Sequence, residues 1–192
     1  MNPSPTPSPQ PWKRERSESG PDLLIARARF DWLVNPRTRQ TLRRMVLDVA
    51  DWVNVVALTP ERRLVVVRQY RFGTGTVTTE IPGGVIDGDE TPEAAARREL
   101  REETGYTAER WTALGPVEPN PAFQNNLCHH YLAEGARATH ALELDPGEDI
   151  VVDTLGLDEV RDAIRSGAIR HSLVVSALSR VLDLRGEHDI ES

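Results

Sequence analysis

Three glutamates, Glu99, Glu102 and Glu103, stand at i, i+3 and i+4 in a chain of 192 residues. On a helix these spacings span roughly 100° of arc, so the three carboxylates share one side. Like charges so placed cost helix stability, and Arg98 and Arg101 relieve only part of the repulsion. A divalent cation would turn the repulsion into coordination. Carboxylate oxygens suit Mg2+, or Mn2+ in its place, an ion that keeps waters and binds substrate phosphates. Without further context the three residues read first as a solvated acidic helix face.

The helix that must carry them is strongly signalled. Thr91 suits the N-cap, Pro92 the first helical position, and Glu93 the positive end of the helix dipole. Helix formers run through residues 94–103, and Gly105 can take the left-handed position just past the end. Ala96 and Leu100 are expected to pack on the side opposite the glutamates. Around this helix the pattern is β-like. Strands are predicted at 23–30 and 42–49, joined by a turn at Asn35-Pro36-Arg37-Thr38, and at 51–58 and 63–69. The continuously apolar Leu64-Val65-Val66-Val67 should be central. Further strands are expected at 111–117, 126–133 and 150–154, with closing helices at 157–166 and 171–184.

Read from Gly84, the chain runs Gly84-x5-Glu90-x7-Arg98-Glu99-Leu100-x-Glu102-Glu103-x-Gly105-Tyr106. This resembles the signature of the Nudix hydrolases at every fixed position; at Tyr106 the family more often has an aliphatic residue. Over roughly residues 51–184 the resemblance implies an α/β fold, an α/β/α sandwich around a mixed sheet. It also implies metal-dependent cleavage of a nucleoside diphosphate linked to another group. By matching positions, Glu99, Glu102 and Glu103 are the implied metal ligands, joined by the Gly83 carbonyl. Arg98 is implied to orient the carboxylates, and belongs with Glu102 and Glu103 to the catalytic set. Glu90 would tie the loop to the helix, and Gly84 would permit a tight backbone turn.

The flanks resemble the ADP-ribose and nucleoside-diphosphate-sugar branch. Arg68-Gln69-Tyr70-Arg71 and Thr79-Glu80-Ile81-Pro82-Gly83-Gly84 are similar to runs that flank the pyrophosphate there. Arg71 is therefore the candidate phosphate contact, because guanidinium forks match phosphate oxygens. Glu80 would contact the terminal sugar or a metal-bound water. Pro121 lies 15 residues past the end of the signature, near the spacing associated with ADP-ribose hydrolysis, although the local sequence departs from the usual form. Phe123 and the amides beside it fit a substrate loop and turn-building equally well. In the acidic run Leu144-Asp145-Pro146-Gly147-Glu148-Asp149-Ile150, Glu148 is the candidate general base, ahead of Asp149 and Glu143. Trp32 and Trp52 are candidates to stack on a nucleobase or to pack an interface.

Composition sets the outer bounds. Lys plus Arg total 23 against 30 Asp plus Glu, a formal net charge of −7, which argues against a protein built to grip nucleic acid. The single cysteine, Cys128, excludes an internal disulfide and a zinc site of paired thiolates. No apolar run nears the roughly 20 residues of a membrane span, and the N-terminus lacks a secretory apolar core. A cytoplasmic protein is expected. Five of 14 prolines fall between Pro3 and Pro11, so residues 1–20 read as a disordered Pro-rich tail. Residues 21–50 then read as antiparallel β-strands that pair across a homodimer, and 51–192 as the Nudix domain. The expected activity is conversion of ADP-ribose, or a UDP- or GDP-sugar, into a nucleoside monophosphate and a sugar phosphate. Two rivals remain: a nucleotide-binding regulator without catalysis, and a sanitiser of oxidised nucleotides.

Overall fold

The computed structural model describes residues 8–184. It divides into two compact units, one made of the chain up to Val49 with Asn120–Asn126, the other of Ala50–Pro119 with the chain from Leu127 onward.

In the first unit, β1 (Lys13–Asp22), β2 (Arg27–Val34) and β3 (Thr41–Asp48) form an antiparallel sheet in that order. The expected 35–38 turn is present: Asn35 N–H bonds the Gln40 carbonyl at 2.9 Å, and Asn35 Oδ1 accepts from Arg37 N–H at 2.8 Å. Strand β2 starts later than predicted. Residues 23–26 are a tight turn instead, closed by Leu23 N–H to the Ala26 carbonyl with Leu24 at φ 72°.

The larger correction concerns the tail. Residues 1–7 lie outside the described residues, but 13–20 belong to a strand. Composition misled because β1 is held by side-chain pairing rather than apolar burial. Ser17 Oγ donates to Asp31 at 2.6 Å, and the Arg16 guanidinium sits 3.7 Å from the Trp32 ring centroid. On β3, Arg43 stacks 3.8 Å from the Phe30 ring. Of the residues in these three strands only Ala28 and Asp31 are buried. Asn120–Asn126, expected inside the Nudix domain, also folds with this unit: Leu47 N–H bonds the Phe123 carbonyl at 2.7 Å.

The second unit holds β4 (Trp52–Leu58), β5 (Leu64–Arg71), β6 (Thr76–Glu80), α1 (Pro92–Thr104), β7 (Tyr106–Thr107), β8 (Arg110–Val117), β9 (Cys128–Glu134), β10 (Arg137–Ala138), β11 (Ile150–Leu155), α2 (Leu157–Arg165) and α3 (Ser172–Ser179). Its main sheet has the order β11-β5-β4-β9-β8, with β6 on β5; β4 and β9 run parallel and the other pairs antiparallel, a mixed sheet. Strand alternation sends Val53, Val55 and Ala57 to one face, where they meet Ala95, Ala96 and Leu100 of α1. Val56 and Leu58 go to the other, where Val160, Val174, Ala177 and Leu178 of α2 and α3 cover them. This is the α/β/α sandwich, and Leu64–Val67 are fully buried at its centre. Among the described residues no helix is long and apolar enough to cross a membrane.

One insertion decides where the site forms. Strands β4 and β5 pair only at Leu58 and Leu64, and residues 76–85 enter the gap between them. Strand β6 pairs with β5. Then Val55 N–H takes the Pro82 carbonyl at 2.8 Å and Val53 N–H takes that of Gly84 at 2.9 Å. Gly83 is thereby pinned beside α1.

Candidate active site

Helix α1 begins and ends on the residues its sequence signals. Thr91 Oγ1 accepts from Ala94 N–H at 3.2 Å, and Gly105 closes the C-terminus at φ 72°. The glutamates, however, are not on a solvated face opposite the packing side. Glu99 and Glu103 are buried, at 9% and 3% exposure, along with Ala96 and Leu100. The reason is the inserted segment, whose Gly83 N–H donates to Glu103 Oε2 at 2.9 Å. A Cβ on Gly84 would collide with the Glu99 carboxylate, and one on Gly83 would lie 2.6 Å from Asn54 Nδ2. Only glycine allows this approach. The Pro82 and Gly84 carbonyls are both taken by β4, so strand alternation turns the Gly83 peptide the other way, the side on which Glu103 lies.

Arg98 organises the outer carboxylates. Its guanidinium donates to Glu90 at 3.0 Å, Glu99 at 2.8 Å, Glu102 at 3.3 Å and the Val85 carbonyl at 3.0 Å. Bonding to Glu90 above all, and to the two other glutamates, lifts Arg98 far above its ordinary pKa. Arg98 thus orients Glu99 and Glu102, and Glu90 ties the loop to the helix. Arg101 also holds Glu102, at 2.9 Å, and reaches Glu143 at 3.4 Å.

Among the described residues no guanidinium lies within salt-bridge distance of Glu103. Burial first, then the negative charges of Glu99 and Glu148, push its pKa up to about 8, against the opposing pull of the Gly83 N–H and Arg71. Burial likewise raises Glu99. Arg71 bonds both oxygens of Glu80, at 2.8 and 2.7 Å, and is raised by that bond and by the fields of Glu80, Glu103 and Glu148. Glu148 therefore lies within electrostatic reach of Glu99, Glu103 and Arg71. Its loop is anchored on the C-terminus of α1: Thr139 and His140 N–H bond the Gly105 carbonyl, and Glu143 N–H bonds that of Glu102. At the turn Glu148 Oε2 accepts from Asp145 N–H at 3.0 Å.

The other expected residues are placed differently. Glu80 is 2% exposed, and what it meets is Arg71 and Thr78. Trp52 opens β4, half-buried, with its N–H on the Leu127 carbonyl at 2.9 Å. Phe123 belongs to the N-terminal unit. Among the described residues no three acidic, histidine or cysteine side chains converge on a common metal position, because Glu99 and Glu102 turn onto Arg98. The anchoring role of Glu143 had no signal in the sequence beyond its acidic neighbourhood.

A NUDIX domain family model matches residues 50–175. A methanol dehydrogenase activator of Bacillus methanolicus is 35% identical over 140 residues, 72% of this chain and 76% of that protein. The ADP-ribose pyrophosphatase of Bacillus subtilis is 35% identical over 125 residues, 65% and 68% of the two chains. That of Mycobacterium tuberculosis is 30% identical over 140 residues, 72% and 68%. A crystal structure of an ADP compounds hydrolase shares the fold, with a TM-score of 0.77 at 23% identity over 92% of this chain and 95% of that one. The chain belongs to the Nudix family, as a hydrolase acting on a diphosphate linkage. Within the family it resembles the ADP-ribose and nucleoside-diphosphate-sugar pyrophosphatase branch.

Proposed function

We propose that this hydrolase is a divalent-metal-dependent pyrophosphatase of ADP-ribose or a closely related nucleoside diphosphate sugar, releasing a nucleoside monophosphate and a sugar phosphate. The observation that carries the reading is Glu103, a buried carboxylate beside Glu99 with no ion-pair partner among the described residues, under the field of Glu148 and within that of Arg71. Such uncompensated negative charge fits a cation, and the hard oxygen donors of Glu99, Glu102, Glu103 and the Gly83 carbonyl suit Mg2+ or Mn2+. When bound, that ion supplies charge neutralisation of the diphosphate and acidifies a water.

The chain's own residues do the rest. The free donors of Arg71 bind a phosphate oxygen, and Arg98 keeps Glu99 and Glu102 beside Glu103, from where their carboxylates would turn to the cation. Glu148 accepts the proton of the water that attacks one phosphorus, while the other phosphate leaves with its nucleoside or sugar. Glu148→Gln should lower kcat about 100-fold with little change in KM, the mark of a group acting in the transition state. A folded Glu148→Gln variant that keeps both its rate and the acidic limb of its pH profile would place the base elsewhere.

We also propose a cytoplasmic homodimer held through the N-terminal sheet. A sheet with two buried strand residues needs a further surface against which to bury the rest.

Incubation with Mg2+ or Mn2+ and a panel of nucleotide sugars, with products separated by chromatography, tests the activity. AMP and ribose 5-phosphate from ADP-ribose are expected. Release of pyrophosphate from nucleoside triphosphates, with no cleavage of any nucleotide sugar, would identify a sanitising enzyme instead. The likeness to a methanol dehydrogenase activator favours a second reading, a regulator of another protein; inertness towards the whole panel would select it.

A further inference from the structure

Sequence resemblance assigns Glu80 a contact with the sugar or with a metal-bound water. Its surroundings point elsewhere. Arg71 donates from Nε to Glu80 Oε1 at 2.8 Å and from Nη2 to Oε2 at 2.7 Å, a fork that uses both carboxylate oxygens. Thr78 Oγ1 adds a third bond to Oε1 at 2.6 Å. With 2% of the residue exposed, Glu80 offers no surface to a ligand. Arg71 differs: its side chain is 42% exposed, and it feels Glu103 and Glu148. Two of its five N–H donors face Glu80, and three remain.

The elements explain the fork. Arg71 ends β5, and Glu80 ends β6 four residues before Gly84 of the signature. The segment that seals the β4–β5 gap therefore carries, in order, the carboxylate that aims Arg71 and the glycines that meet Glu99 and Glu103. A long arginine side chain on a strand end has many rotamers; a bidentate, buried partner leaves it one.

We propose that Glu80 is a positioning residue: it locks the Arg71 guanidinium so that the free donors meet the diphosphate oxygens of the substrate, and it touches no substrate itself. The inference rests on the pyrophosphatase reading above, with Arg71 as the phosphate contact. Glu80 acts on binding through Arg71, so its loss raises KM more than it lowers kcat.

A double-mutant cycle on the full-length protein with its metal tests this. Glu80→Gln, which keeps shape but leaves one Arg71 donor unmet, should raise KM about tenfold with kcat within about twofold. Arg71→Ala should raise it further, and the double variant should match Arg71→Ala alone, since Glu80 has nothing to hold once the guanidinium is gone. Guanidinium ion added to Arg71→Ala should restore part of the activity only while Glu80 is present. Independent, multiplying effects of the two substitutions, or rescue that ignores Glu80, would overturn the proposal and return Glu80 to the substrate. Should Glu80→Gln fail to fold, Thr78→Val loosens the same carboxylate from behind. A KM rise from that change that persists in the Arg71→Ala background would equally overturn it. A wild-type protein inert towards every nucleotide sugar would defeat the pyrophosphatase reading instead, a distinct outcome.

Discussion

Two carboxylates, Asp31 in the N-terminal sheet and Glu103 in the catalytic unit, are buried to nearly the same degree, at 4% and 3% exposure. Their electrostatics are opposite. Asp31 accepts from Ser17 at 2.6 Å and Arg29 at 2.5 Å, with Arg14 at 3.6 Å; burial pushes its pKa up, but these partners outweigh it and hold the group below the usual range. Glu103 accepts one backbone N–H and is pushed up to about 8. The sheet, with almost no apolar core, must satisfy every charge it buries. The catalytic unit has an apolar cluster on each face of its sheet and can carry a carboxylate that works against stability. Burial alone does not mark function; burial without a counter-charge does.

The strongest way to break this contrast is Glu103→Gln. The change is isosteric, and the metal-free carboxyl, pushed up to about 8, is already largely neutral at pH 7, so the metal-free thermal midpoint should hold. Turnover should fall by about two orders of magnitude or more, the scale of losing transition-state charge stabilisation. A folded variant at wild-type rate would return Glu103 to a structural role; a variant that unfolds would show that the unit needs the carboxylate for stability.

Strand β1 offers the next test. Deleting residues 1–11 leaves all three strands and should preserve solution mass and activity. Deleting 1–22 removes Ser17 and Arg14 from Asp31 and Arg16 from Trp32. The remaining hairpin of β2 and β3 should become protease-sensitive, and light scattering should report a monomer. A protected, dimeric protein after the longer deletion would mean that β1 is dispensable.

The catalytic side of the contrast was legible because its signals are local. The Thr91-Pro92 start and the Gly105 stop each follow from the chemistry of a few neighbours, and the structure places both as read. The apolar run 64–67 likewise had one place to go. What stayed hidden depends on distant partners. A helical wheel puts Glu99 and Glu103 on one side but cannot say that Gly83 and Gly84 will cover it. Thr76–Glu80 is too short and polar to announce a strand, and its pairing comes from the gap it fills. Strand β1 has no apolar alternation, so composition made it a tail. Residues 120–126 carry no mark of the unit they join.

The smallest effect belongs to Asp31 itself, and pH makes it specific. A carboxyl held below its ordinary value contributes stability that is present above the unfolded pKa and lost as pH falls through the folded one. Asp31→Asn keeps the shape, but leaves Arg29 half-paired through Asp48 and turns a charge-assisted bond from Ser17 into a neutral one. Arg29 is partly exposed, so solvent screens the pair, and the expected loss at neutral pH is about 1–2 kcal/mol. Urea unfolding of the two proteins should differ by that amount at pH 7. The gap should begin to narrow below about pH 4, where the unfolded carboxyl takes up its proton, and close only as the pH falls through the lower folded value. A gap that stays constant with pH would assign the loss to packing around the substituted amide rather than to charge. No gap at all would mean that the sheet does not depend on satisfying this carboxylate, and the difference between the two units would then lie in the fold of each rather than in its buried charge.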